Sequence, residues 1–99
     1  MKTKYEYIHE LLIEQAENLS KSPYNWMAFL KTSAYMFKFP FQDQLLIHAQ
    51  RPDATACASF ETWNEKHSRW IRKGSKGIAL LNDDNTLRYV FDIKDTRSP

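Results

Sequence analysis

The stretch His9-Glu10-Leu11-Leu12-Ile13 begins like the zinc-protease helix signature H-E-x-x-H. That chemistry needs a second imidazole four residues on, so that both reach one metal from one helix face, and position 13 is isoleucine. His48 and His67 have no cysteine or carboxylate at ligand spacing, so neither a metal nor any other cofactor is expected. Cys57 is the only thiol. A nucleophilic cysteine needs a neighbouring base and a lowered pKa, and Ala56-Cys57-Ala58 reads instead as part of a small-residue core strand. Asp83 and Asp84 sit in a turn cluster with no apolar pocket in sequence to raise a carboxyl pKa. Lys73-Gly74-Ser75-Lys76-Gly77 spaces its glycines too closely for a phosphate-binding G-x-x-x-x-G-K loop. The sequence therefore points away from an enzyme.

What remains is charge. Residues 66–82 contain Lys66, Arg69, Arg72, Lys73 and Lys76 and no acid, whereas residues 1–20 set Lys2 and Lys4 against Glu6, Glu10, Glu14 and Glu17. The net charge of +2 is small, but its distribution gives the chain an acidic face and a basic one. Phosphates are the usual partners of such a basic patch. Arg69–Lys73 and Ile78–Leu81 read as two strands joined through Gly-Ser-Lys-Gly, a basic hairpin. Alternation would put Trp70 and Arg72 on one face of it and Arg69, Ile71 and Lys73 on the other. A base can stack on Trp70 while Arg72, with Lys66 or Lys76, neutralises the flanking phosphates. A core position for Trp70, with the cations alone in contact, is the other reading. Gly74 and Gly77 are expected to supply positive φ in the bend, and their amides to serve as further donors to phosphate. Arg51, with Lys38 and the polar edge Gln42, Gln44 and His48, forms a second basic group.

These residues need a frame. Residues 4–20 carry Tyr5, Ile8, Leu12, Ala16 and Leu19 at helical spacing. Ser22 and Pro23 suit the start of a second helix that runs to about Phe37, with Trp26, Phe29, Leu30, Ser33 and Phe37 as its buried stripe. Pro40 opens a third helix, to about Gln50, whose Leu45, Leu46 and Ala49 can face a core. The period then changes. Ala54–Ala58 reads as a strand, and Ser59 caps a short helix containing Trp63, itself expected in the core. Leu87–Ile93 alternates as a strand after the Asn82–Asn85 turn. The fold class is α+β: three N-terminal helices followed by a small antiparallel sheet of three or four strands with one short inserted helix. Residues 1–95 form one domain, and 96–99 read as a polar tail or linker.

A chain of 99 residues that is 42% hydrophobic can bury a core without staples. One cysteine forms no internal disulfide, no apolar run approaches the length needed to cross a bilayer, and acids occupy the place of a signal peptide's apolar stretch. A cytoplasmic protein with no membrane partner is expected.

The segment from Phe39 to Leu81 resembles the N-terminal single-stranded-DNA-binding domain of ArdC-type antirestriction proteins. It is also similar to the N-terminal segment of large conjugative-element proteins with helicase or methylase domains downstream. The pattern is Gln44-Leu45-Leu46-Ile47, then Gln50 and Pro52, then Thr55, Phe60 and Trp63. Arg72-Lys73-Gly74-Ser75-Lys76-Gly77-Ile78 and Tyr89-Val90-Phe91-Asp92 complete it, over roughly residues 24–95. The resemblance implies an α+β domain that binds single-stranded DNA with little sequence preference, on a mobile genetic element. ArdC-type proteins carry a metalloprotease-like domain after this one, and the polar ending at Pro99 reads as a linker toward such a domain. The expected function is a non-enzymatic single-stranded-DNA-binding module, with RNA as an open alternative ligand. The rival is a protein-interaction module that inhibits a host defence nuclease through the same charged surface.

Overall fold

The helices start where the side chains can cap them. In a computed structural model describing residues 1–99, α1 spans Lys4–Leu19, α2 Pro23–Tyr35, α3 Phe41–Gln50 and α4 Phe60–His67. Thr3 and Glu6 form a capping box at α1, with Thr3 Oγ1 accepting from Glu6 N at 3.1 Å and Thr3 N donating to Glu6 Oε1 at 3.2 Å. Ser22 accepts from Asn25 N ahead of Pro23, which has no amide to leave orphaned. Ser59 accepts from Thr62 N at α4.

The strands are β1 Cys57–Ala58, β2 Trp70–Ile71, β3 Ile78–Leu81, β4 Leu87–Asp92 and β5 Thr96–Arg97, with a 3-10 turn at Ile93–Asp95. One antiparallel sheet has the order β1-β4-β3, and a second pairs β2 with β5. The class is α+β, with three helices ahead of the strands and α4 inserted between β1 and β2. Helices α1 and α3 pack on β3. Leu46, Ile47, Ile8 and Met36 meet Ile78, Ala79, Leu80 and Val90 there in one buried cluster. No helix is long and apolar enough to cross a membrane.

Four expectations change. The basic hairpin does not form. Trp70 pairs with Arg97 and Ile71 with Thr96, whereas β3 pairs with β4. A turn closed by Ser75 N donating to Arg72 C=O at 3.1 Å separates β2 from β3. Residues 96–99 are not simply a tail, because Thr96 and Arg97 are β5 and Thr96 is buried. The buried face of α2 is Phe29, Thr32 and Met36, and Trp26, Leu30 and Phe37 are exposed. Of the expected strand 54–58 only Cys57 and Ala58 form β1: the buried Asp92 carboxylate takes the Thr55 and Ala56 amides, at 2.8 and 3.1 Å, although the Ala56 carbonyl still accepts from Ile93 N.

The two glycines separate as well. Gly74 has φ +85 and open space around its Cα, as a turn residue should. Gly77 is not at positive φ. A Cβ there would lie 3.1 Å from Tyr89 Cβ and Cδ1, so it is glycine for close packing against β4. Gly77→Ala is expected to cost about 1–3 kcal/mol, the range for overpacking. Urea unfolding of the variant checks it, and a midpoint equal to wild type would contradict the packing role.

Candidate nucleic-acid interface

Asp95 organises the basic region. Its backbone carbonyl accepts from Arg72 N at 2.8 Å and from Ser75 Oγ at 3.4 Å, which ties the loop after β2 to the 3-10 turn. Its carboxylate takes Arg51 NH1 at 2.7 Å, which ties in the C-terminal end of α3. Arg51 Nε also pairs with Asp53 Oδ1 at 2.9 Å. Arg51 is thus largely neutralised by its own fold, and the Asp95 bond pushes its pKa further up. It is a corrected expectation as a free phosphate ligand.

Arg69 is also spoken for, though not by acids. Its Nε donates to Thr96 Oγ1 at 2.6 Å, NH1 to Ser98 Oγ at 3.3 Å and NH2 to Thr96 C=O at 3.4 Å. It latches β2 to β5. The remaining cations stand free. Lys66 near the end of α4, Arg72, Lys73 and Lys76 are exposed, and none enters an ion pair or side-chain hydrogen bond. Trp70 is 43% exposed among them, so it is no core tryptophan. Trp63 is, at 5%, with Nε1 donating to Phe91 C=O at 2.8 Å.

Arg97 joins the group. It is exposed, unpaired in charge and directly across the ladder from Trp70. In sequence it lies in a polar stretch ending in Ser-Pro, which carries no alternation. The signal that could have found it is β-branched Thr96 beside it. The second basic group dissolves in part. Gln44 is buried, accepting from Ser33 Oγ at 2.6 Å and donating to the carbonyls of Met36 and Phe39. His48 Nδ1 is 2.7 Å from Thr32 Oγ1, and burial lowers its pKa. Lys38 and Gln42 stay exposed.

The ladder parity places a backbone donor in this region. Asn82 N donates to Thr86 C=O, so every second residue back from Asn82 bonds β4 and the others turn away. Ala79, one of those turned away, exchanges both its N–H and C=O with the Gln50 amide at 2.9 Å. Gly77 has the same parity and no such partner. Gln50, Arg51, Lys76, Gly77 and Ile78 line a polar recess of about 250 Å³ at that point. Arg51 is held there by Asp53 and Asp95, so the free lysine and the outward amide are the groups in this recess that suit an anion such as phosphate.

No protein-family model, curated protein or solved structure matches the chain.

No three histidine, cysteine, aspartate or glutamate side chains converge as a metal site would require. Cys57 borders an apolar groove, and burial with the nearby Asp92 charge pushes its thiol pKa up to about 12. Its reaction with a disulfide reagent at pH 8 is expected to run about 100-fold slower than that of free cysteine, because little thiolate is present. Denaturant should restore the ordinary rate. A fast reaction in the folded protein would contradict the raised pKa of this half-buried thiol.

Proposed function

We propose that this chain is a non-enzymatic module that binds single-stranded DNA through charge, of the ArdC-like kind its sequence resembles, serving a mobile genetic element in antirestriction or conjugation. The observation that carries the reading is the set of free cations: Lys66, Arg72, Lys73, Lys76 and Arg97 are exposed and lack internal partners, and the exposed Trp70 lies within six residues of the first four and pairs across the ladder with Arg97. Cations held by no carboxylate keep their full attraction for phosphate. An exposed indole offers any base a stacking face, which is how strands are bound without sequence preference. A duplex hides its bases, so Trp70 favours single strands.

The test is competition. A fluorescent oligothymidine bound to the protein is challenged with unlabelled single strand or with duplex of equal length. Single strand is expected to displace it at least about tenfold more effectively, the size of one stacking contact. Equal displacement would leave charge alone and remove the single-strand preference.

One observation favours the protein-interaction reading. Tyr24, Trp26, Met27 and Leu30 are all exposed on α2, an apolar surface that phosphate binding does not use. A partner captured after nuclease treatment, and lost with Met27→Glu but not with Arg72→Ala, would support it.

A further inference from the structure

A second groove, largely apolar, is lined in part by α4, the helix that carries Lys66. Its rim is the end of α2 and the connection to α3, with Tyr35, Phe37 and Lys38. Its floor runs along β1, and its far wall is Trp63 and His67 of α4. It measures about 440 Å³, within the roughly 300–1,000 Å³ of small-ligand sites. Phe37 is 73% exposed and Tyr35 59% exposed, an unusual outlay of aromatic surface.

From this geometry we infer that the groove seats an unstacked nucleobase of the bound strand. The inference rests on the single-strand reading above. Three features fit the occupant. Aromatic walls are what a base stacks on. No carboxylate lines the groove, and Lys38 Nζ sits 5.9 Å from the centre of the Phe37 ring, placed for the phosphate that accompanies a base. The floor also offers hydrogen bonds. β1 is an edge strand, and Ile93 N donates to Ala56 C=O across the β1–β4 pair at 2.8 Å. By ladder parity Cys57, the next residue, turns its own N–H and C=O to the open side. One donor and one acceptor on one residue match the mixed edge of a base. They are too few for an added peptide strand, which needs a longer edge. Continuity supplies the path: His67 belongs to the same helix as Lys66, and the chain runs directly on to Trp70.

The experiment compares a labelled 12-nucleotide oligothymidine with an abasic strand of equal length and charge, using wild type, Phe37→Ala, Trp70→Ala and the Arg72→Ala/Lys73→Ala pair. Phe37 is on the surface, and an unchanged melting temperature of its variant confirms the fold. Wild type is expected to prefer oligothymidine by more than about tenfold, with Phe37→Ala and Trp70→Ala each removing roughly tenfold of that preference while keeping the abasic affinity and the salt dependence. Oligothymidine should also protect Cys57 from alkylation, and the abasic strand should not. Equal affinity for the two strands overturns the inference and leaves the charge reading standing. So does a base preference that survives Phe37→Ala and vanishes with Trp70→Ala. If neither strand binds even at low salt, the single-strand reading falls and the groove inference with it.

Discussion

Replacing Arg72 and Lys73 together with glutamate is expected to weaken binding of an oligothymidine by about 100-fold at 0.1 M salt. On a single strand each phosphate contact contributes about 0.7 to the slope of log K against log salt, which is roughly a factor of five per contact at 0.1 M. Removing two such contacts costs about 25-fold, and reversing their charge adds repulsion on the same phosphates. Both side chains are exposed and hold no internal partner, so the melting temperature should not move. The alanine pair should fall between the reversal and wild type. Anisotropy titration of a labelled strand reads both variants. An affinity within twofold of wild type for the glutamate pair would remove the loop after β2 from the interface.

Asp92→Asn is expected to be the most damaging conservative substitution in the fold. The carboxylate is completely buried. It accepts from Thr55 N at 2.8 Å, Ala56 N at 3.1 Å and Lys94 N at 3.1 Å, and it pairs with Lys94 Nζ at 3.3 Å. Burial alone would raise its pKa, but these donors and the lysine outweigh burial and hold it below the ordinary carboxylate value. An asparagine amide presents a donor where both Lys94 N and Lys94 Nζ donate to Oδ2, so two donors lose this acceptor and the buried amide faces them without one. The expected cost is about 3 kcal/mol, which for a domain this size lowers Tm by about 12–24 °C. The pH dependence follows from the sign of the shift. A depressed carboxyl stabilises the fold fully above its unfolded pKa, near 3.8, and that contribution is lost as pH falls through the folded value. The variant should lack this acid-side decline. A wild-type melting temperature for Asp92→Asn would show that the network holds nothing together.

How far the sequence could be read depended on whether a signal was local. Ser22 and Ser59 announce helix starts through side chains that cap the next turn, and Pro23 through its missing amide, and both helices begin there. Trp63 in the core and the order of helices before strands follow from pattern, and the α+β class with them. The partner of a strand is not local. Two strands joined by a glycine-rich bend look like a hairpin. Here the β2 ladder goes to β5, and the open side of β3 is occupied at Ala79 by the Gln50 side chain. The face of α2 was misjudged for a related reason. The stripe expected there is Trp26, Phe29, Leu30, Ser33 and Phe37; Phe29 is buried, but Thr32 turns inward beside it, where its hydroxyl meets His48 of α3. Such a polar contact between helices is invisible in hydropathy.

The candidate site was legible as composition and not as geometry. Lys66, Arg72, Lys73 and Lys76 are on the surface as expected, and of the two readings for Trp70 the exposed one holds, not the core one. Arg51 and Arg69 have the same charge and are spent within the fold: Asp53 is a sequence neighbour of Arg51, but Asp95 and Thr96 reach Arg51 and Arg69 from 44 and 27 residues away. Gly77 reads as a bend residue and instead gives β4 its close approach. Arg97 gained its place only through the pairing of β5.

The salt dependence of single-strand binding tests the central claim most directly. Dissociation constants for a labelled oligothymidine, measured from low salt to 0.3 M, are expected to give a slope of log K against log salt near about −3, from four or five phosphate contacts. A slope near zero, or no binding at the lowest salt, would contradict a surface built to hold phosphates by charge.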